Sequence, residues 1–373
     1  MKSSRLLALI SILVLTGACG SDQDAIERTM EDGVEVVLSH AIPDRAGQEG
    51  LFSLDEIFRI DSEAETRIGD VLGFEVSSKG DIFVLRQNAG GGEFLFKFDG
   101  TGRFLKSFAR KGQGPGELQN PRHLTMGKND RLLISDTGRV FEYDAEGMFL
   151  LAYPLDSVVR VTSGPGDSLI AQRVEQLFRG DKQTMTWSAD LLDSRFIKLR
   201  RLDSLTAEIS MSKIPAPEPL LCWSASKDRI FVANEDRGYD IHVYDQGGIL
   251  RRRIKKEYAA VPISDAFRAR TLKPLPEPMR KAVNFPESHT PFQSLAAADD
   301  GKLFVATFEA GDRPGEYIFD IFDKDGGLMG RKSLPAVVWE GHIWAKILSG
   351  RLYSLREKPN GFKEIIVSSI LWK

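Results

Sequence analysis

The chain has 373 residues, 42% of them hydrophobic and 28% charged, with 50 Lys and Arg against 53 Asp and Glu. That composition belongs to a folded globular protein, and a net charge of −3 offers no basic surface for nucleic acid. Two cysteines cannot build a disulfide framework, so stability has to come from burial.

Lys2 and Arg5 precede an apolar run from Leu6 to Thr16, and the small residues Gly17 and Ala18 lead into Cys19. This is the pattern of an export signal over residues 1–18, its run shorter than the ~20 apolar residues of a spanning helix. Removing it takes away Lys2 and Arg5 and leaves 48 basic against 53 acidic residues, a charge of −5. The segment LTGAC resembles a bacterial lipobox, with Thr16 where leucine is usual. The resemblance implies that the cell is bacterial and that acylated Cys19 anchors the mature chain in a lipid bilayer. Gly20 follows where aspartate would mark inner-membrane retention, so an outer-membrane lipoprotein facing the periplasm is expected. Ordinary cleavage after Ala18 stays open and gives the same mature start. Residues 19–50 then read as a linker that can include a strand. With Cys19 acylated, Cys222 has no partner and reads as a buried core thiol.

From residue 51 onward the chain repeats. FKFDGTGRFLKSF at Asp99, FEYDAEGMFLLAY at Asp144, HVYDQGGILRRRI at Asp245 and DIFDKDGGLMGRK at Asp323 share an aromatic, an aspartate, a turn and a following strand. The gaps are 45, 101 and 78 residues, and the second hides a degenerate copy, WSADLLDSRFIKL, taken at Asp190. Upstream of each lies another hairpin: Phe74 to Arg86, His123 to Asp136, Leu220 to Glu235 and Ser294 to Phe308. A last copy from His342 has three strands and no fourth. The missing strand has two candidates, DEIFRID (Asp55 to Asp61) and VEVVLS (Val34 to Ser39), either of which would fasten tail to head and remove exposed edges. Four strands per ~45 residues predict an all-β, six-bladed β-propeller of four-stranded antiparallel blades over 51–373. An insertion at 259–291, between blades 4 and 5, is expected to hold short helices, one capped by Ser264. Asn88 to Glu93 (NAGGGE) reads as a loop within blade 1.

The stretch GQGPGELQNPRH (Gly112 to His123) is glycine-rich but is no phosphate cradle. Its spacing is G-x-G-x-G, Pro115 removes an amide donor, and strand-like HLTMG follows where a helix would have to open. Together with the residues up to Gly147 it resembles an NHL-type repeat, and the link is similar to those of bacterial six-bladed β-propeller lipoproteins. The resemblance covers 112–147 strongly and blades 3 and 6 weakly. It implies a ring-shaped scaffold whose relatives include both ligand binders and enzymes, so it leaves the function open.

In such a ring the links between blades and the loops between second and third strands share one face. The candidates placed there are Arg86, Arg122, His123, Asp136, Arg139, Arg173, Asn234, Glu235, Arg237, Arg313, Glu340 and His342. As an axial funnel they would suit an anionic or sugar-like ligand; as ion pairs they would only stabilise the ring. His123 and His342 at inner-strand starts are the weak candidates for a zinc site, as in metal-dependent lactonases. DKDGG (Asp323 to Gly327) resembles a calcium loop opening, but position 12 is Leu334, so it reads as a turn. No nucleophile elbow or P-loop occurs. RRRIKK (Arg251 to Lys256) reads as a basic outer strand protecting an edge. The expected function is a non-catalytic, lipid-anchored scaffold without a cofactor, binding a small ligand or an envelope protein. The alternative is a metal-dependent, lactonase-like hydrolase or lyase with zinc or calcium. The insertion is the candidate docking element for a partner.

Overall fold

The computed structural model describes residues 26–40, 50–61, 69–87, 92–155, 158–180, 182–210, 214–339 and 342–373. The export signal, Cys19, part of the Asn88 to Glu93 loop and Glu340 lie outside the described residues. Three strands come first: β1 (Ile26–Glu31), β2 (Val34–Ser39) and β3 (Phe52–Asp61). Blade 1 is β4 (Val71–Val76), β5 (Ile82–Arg86), β6 (Glu93–Phe98) and β7 (Phe104–Arg110). Blade 2 is β8 (Pro121–Met126), β9 (Leu132–Asp136), β10 (Arg139–Tyr143) and β11 (Phe149–Pro154). Blade 3 is β12 (Val158–Ser163), β13 (Leu169–Arg179), β14 (Lys182–Leu192) and β15 (Lys198–Ile209), followed by the short β16 (Ile214–Pro215). Blade 4 is β17 (Leu221–Ala225), β18 (Arg229–Asn234), β19 (Asp240–Asp245) and β20 (Leu250–Lys256). The insertion carries α1 (Asp265–Leu272), α2 (Glu277–Ala282) and β21 (Val283–Asn284), the last paired in parallel with β16. Blade 5 is β22 (Ser294–Ala297), β23 (Leu303–Ala310), β24 (Glu316–Phe322) and β25 (Leu328–Pro335). After the small β26 (Val338–Trp339) and β27 (His342–Ile343), blade 6 is β28 (Ala345–Leu348), β29 (Arg351–Glu357) and β30 (Lys363–Trp372). The ring is a six-bladed propeller of four-stranded antiparallel sheets, as expected, and among the described residues no helix is long and apolar enough to cross a membrane.

Successive side chains of a strand point to opposite faces, and here both faces of a blade are covered by its neighbours. In β5, Ile82, Phe83, Val84 and Leu85 are all 0% exposed. Ile82 and Val84 pack toward blade 6 with Tyr353, Leu355 and Val367, while Phe83 and Leu85 pack toward blade 2 with Leu124, Ile134 and Tyr143. Each of the five other blades likewise contributes to two of the six clusters, one per blade interface. Burial on both faces is why the second strands read as continuous apolar runs instead of alternating ones.

The repeated aspartate closes the turn between third and fourth strands. Oδ1 of Asp99, Asp144, Asp245 and Asp323 accepts the backbone N–H of the residues two and four positions on, at 2.8–3.0 Å. In blade 3 that role falls to Asp193, not Asp190. The turn needs a left-handed residue at the fourth position, which is Gly102, Gly147, Gly248 and Gly326 in the other copies and Phe196 (φ 64°) here. Asp190 is instead buried in β14, with Arg173, Lys198 and Arg201 at 2.8–3.3 Å.

Ring closure uses β3, which contains the Asp55 to Asp61 candidate and pairs antiparallel with β30 from Phe52 against Trp372 to Asp61 against Glu364. The other candidate, Val34 to Ser39, does something the sequence did not suggest. It lies parallel to β20 as a fifth strand of blade 4, with β1 beyond it. The basic run Arg251 to Lys256 is therefore not an edge: Arg252 pairs with Glu35 (2.6 Å) and Arg253 with Glu31 (2.7 Å). Edge protection passes to β1, whose residues beyond Ile26 are exposed and mostly charged.

The closure can be tested at Phe52, 1% exposed, whose ring lies 4.9 Å from that of Trp372 and 6.3 Å from that of Phe304. Phe52→Ala is expected to cost about 3–5 kcal/mol, read as a lower urea midpoint. A loss no larger than a surface substitution's would mean that this strand does not fasten the ring.

Candidate functional site

The first strands of the blades surround the axis, and their side chains enclose a cavity of about 130 Å³. Arg160, 3% exposed, lies over the Trp223 ring at 4.3 Å, and Trp223 Nε1 donates to Thr162 Oγ1 at 2.8 Å. On the opposite wall Lys346 pairs with Glu75 at 2.8 Å. The rings of His123 and His342 stand edge to face with centroids 6.2 Å apart, and His342 rests on Trp344 at 4.3 Å. Trp344 in turn lies against Gly73, where a Cβ would overlap the ring. Burial, helped by Arg160 and Arg122, pushes His123 down to about 3. Burial and Arg160 also hold His342 well below the usual imidazole range, so both rings are neutral near pH 7. Burial raises Glu75 in spite of Lys346.

Of the described sequence candidates, the structure brings His123 and His342 together at the axis, gathers Asn234 and Arg237 on Asp203, and leaves the others apart. Arg86 lies over the Phe96 ring at 5.2 Å. Arg122, Arg139 and Arg313 are exposed. Asp136 accepts the N–H of Gln119 (2.6 Å) and Asn120 (3.0 Å) and the Thr137 hydroxyl, pinning the glycine-rich link to the end of β9. Arg173 meets Asp190. Asn234 donates to Asp203 Oδ1 and to the Ser204 carbonyl, and Arg237 pairs with Asp203 at 2.6 Å, so these two tie blade 4 to the outer strand of blade 3. Glu235 accepts the Leu220 N–H at 3.0 Å, and burial pushes its carboxyl up to about 7. Cys222 is buried in β17, its thiol pushed up to about 12.

A larger pocket, about 780 Å³, opens on the face of the interblade links. None of the eleven described candidates lines it. One wall is blade 3, whose second and third strands have 11 residues each against five in blade 2, and where Val174 pairs across with Trp187. The other is the insertion. Ser264 caps α1 as expected, its Oγ accepting the Phe267 N–H at 3.2 Å, and this sets Phe267 over the opening. Phe267 stands edge-on to His289 (4.7 Å), and His289 stacks on Phe308 at 4.0 Å and 10°. Tyr317, Gln172, Gln293, Thr290, Arg270 and the link Pro217 to Leu220 are also part of the lining. Burial and Arg270 hold His289 below its usual range. The long runs of β13 and β14 are the available signal, masked when the blade 3 copy is placed on Asp190 and not on Asp193, three residues later.

A family model described as a 6-bladed beta-propeller matches residues 30–190. Among solved structures, a protein of Bacteroides fragilis NCTC 9343 whose name marks it as exported is 14% identical, with a TM-score of 0.50 over 91% of this chain and 99% of that one. PorZ of Porphyromonas gingivalis, a surface component of the type-IX secretion system, is 12% identical, with a TM-score of 0.38 over 78% of this chain and 30% of that one. A gluconolactonase of Xanthomonas campestris is 11% identical, with a TM-score of 0.40 over 87% and 97%. No curated protein matches. These similarities bear on the fold alone.

Glu235 gives a pH signature. Its folded value, about 7, lies above the ordinary 4.5, so its contribution to stability is present below 4.5 and lost as pH rises through about 7. Glu235→Gln keeps an acceptor for Leu220 and removes the charge. Its urea midpoint should gain on that of wild type between about pH 5 and about pH 8 and then level off. A gap that does not change with pH would show that Glu235 ionises in the fold as it does in water.

Proposed function

We propose that the protein is an exported, lipid-anchored binding propeller, and that its ligand occupies the pocket between blade 3 and the helical insertion. The observation that carries this is the pocket itself: about 780 Å³, within the ~300–1,000 Å³ of small-molecule sites, walled by aromatic rings and a few convergent polar groups. The lipobox-like LTGAC and the resemblance in fold to a protein named as exported support an envelope location. A metal-dependent hydrolase is the second reading, favoured by the facing His123 and His342. The donors fit it poorly. Among the described residues no three His, Cys, Asp or Glu side chains come together, Glu75 is already taken by Lys346, and the guanidinium of Arg160 adds a positive field.

Two experiments follow. In a bacterial host, Cys19→Ala should abolish incorporation of radiolabelled palmitate and release the chain from the membrane fraction; continued labelling would sink the anchor. For the pocket, Nile red, an uncharged probe, should bind the mature chain saturably with a blue-shifted emission. Phe267→Ala, in the insertion and away from the blade interfaces, should weaken that binding by about tenfold with little change in melting temperature. Unaltered binding would move the site elsewhere.

A further inference from the structure

The lining of the entry-face pocket says what class of ligand it takes, an inference that rests on the binding reading above. Its charged residues are Glu218 and Arg270, opposite in sign and both exposed. The other polar groups are uncharged: the amides of Gln172 and Gln293, the hydroxyls of Ser264, Thr290 and Tyr317, and His289, which burial and Arg270 keep neutral. An anionic ligand would meet one arginine offset by one glutamate, far from the converging cations that phosphate or carboxylate recognition needs. A fully apolar ligand would strip water from the amides and hydroxyls and leave them unmatched, at about 1–3 kcal/mol for each group. Peptide capture by strand addition needs a row of free backbone donors. The link wall presents Pro217 and Pro219, which have none, and Leu220, whose N–H is given to Glu235.

What remains is a neutral molecule with apolar faces and many hydroxyls. His289 and Phe308 stack face to face, so each is held flat by the other and has only its outer face left for a ligand, with Phe267 upright against His289 and Trp187 on the wall of blade 3. The negative face of an aromatic ring attracts the weakly positive C–H face of a pyranose. The side-chain amides offer acceptor and donor together, which matches hydroxyls that do both. Gln293 is already oriented, its amide nitrogen donating to the Thr307 carbonyl, so its oxygen is the acceptor held in place. We propose that this pocket binds a short, uncharged oligosaccharide, packed against the aromatic rings of the lining and hydrogen-bonded through Gln172 and Gln293.

The test uses the mature chain on a glycan array of neutral and acidic glycans, with titration calorimetry of the hits and of neutral tripeptides. The expected result is saturable binding of one or more neutral glycans, displacement of Nile red by the same glycans, and a loss of about tenfold or more in Gln172→Leu, which keeps the shape of the wall. Gln172→Leu should still bind Nile red, showing that the pocket is folded. Binding of acidic glycans or peptides alone, no glycan binding at all, or glycan binding indifferent to both Gln172→Leu and Phe267→Ala would each overturn the saccharide class. If Nile red still binds wild type and loses affinity in Phe267→Ala, the pocket reading stands without it; if the probe fails as well, both fall together.

Discussion

Every blade of this protein buries both of its faces, and neither end of the series can be left uncovered. The alternation along a strand sends neighbouring residues into different interfaces, so Ile230 packs toward blade 3 while Phe231 packs toward blade 5. A linear stack of such sheets would expose two apolar faces at its ends. Bending the series into a ring turns those two faces into a sixth interface, where Phe58 and Ile60 of β3 and Val367 of β30 meet Phe74, Val84 and Phe96. The fourth strand of blade 6 comes from the front of the chain, so closure is an antiparallel sheet ladder like those within the other blades.

Polar groups inside this construction follow the same repeat. Asp190 in blade 3 and Asp320 in blade 5 sit at matching places, three residues before the turn aspartate, and each faces an arginine directly across the fourth strand, Arg201 and Arg331. Both carboxylates are fully buried, and each also receives a lysine, Lys198 and Lys256. A carboxylate so enclosed is tolerable only while these partners are in place, which ties register to electrostatics. Blade 4 applies the same economy at its edge, where Arg252 and Arg253 are satisfied by the acidic residues of the N-terminal hairpin.

The ring was legible in the sequence because its punctuation is local. An aspartate that caps its own turn and a left-handed glycine three residues later leave a mark within five residues, and four copies carried it intact. Where Phe196 replaced the glycine the mark vanished, and Asp190, following Trp187 as an aromatic precedes the aspartate elsewhere, took its place in the reading. The parallel seat of Val34 to Ser39 was not legible, since a strand's alternation does not name the edge it joins. Neither was the entry-face pocket. Trp187, Phe267, Phe308 and Tyr317 come from blade 3, the insertion and blade 5, and in sequence each looks like one more apolar strand or helix position.

The same strands serve the axis at two levels with different chemistry. Val159, Leu221 and Gln293 meet the entry-face pocket, while Arg160, Trp223 and Leu295, one or two residues further along, meet the axial cavity. The deeper level is small and enclosed by groups that hold one another: Arg160 on Trp223, Lys346 on Glu75, His342 on Trp344 and Gly73. Its neutral imidazoles and committed charges suit a plug that keeps six inner strands at a common distance. The upper level lacks that mutual commitment, because one wall is an insertion whose α1 buries none of its residues and lines the pocket with Ala266, Phe267 and Arg270. A helix that buries none of its residues is displaced at smaller cost than an enclosed cluster. In the proposed binding propeller, ligand exchange is accordingly assigned to the upper level, and the charged residues along the axis to the architecture beneath it.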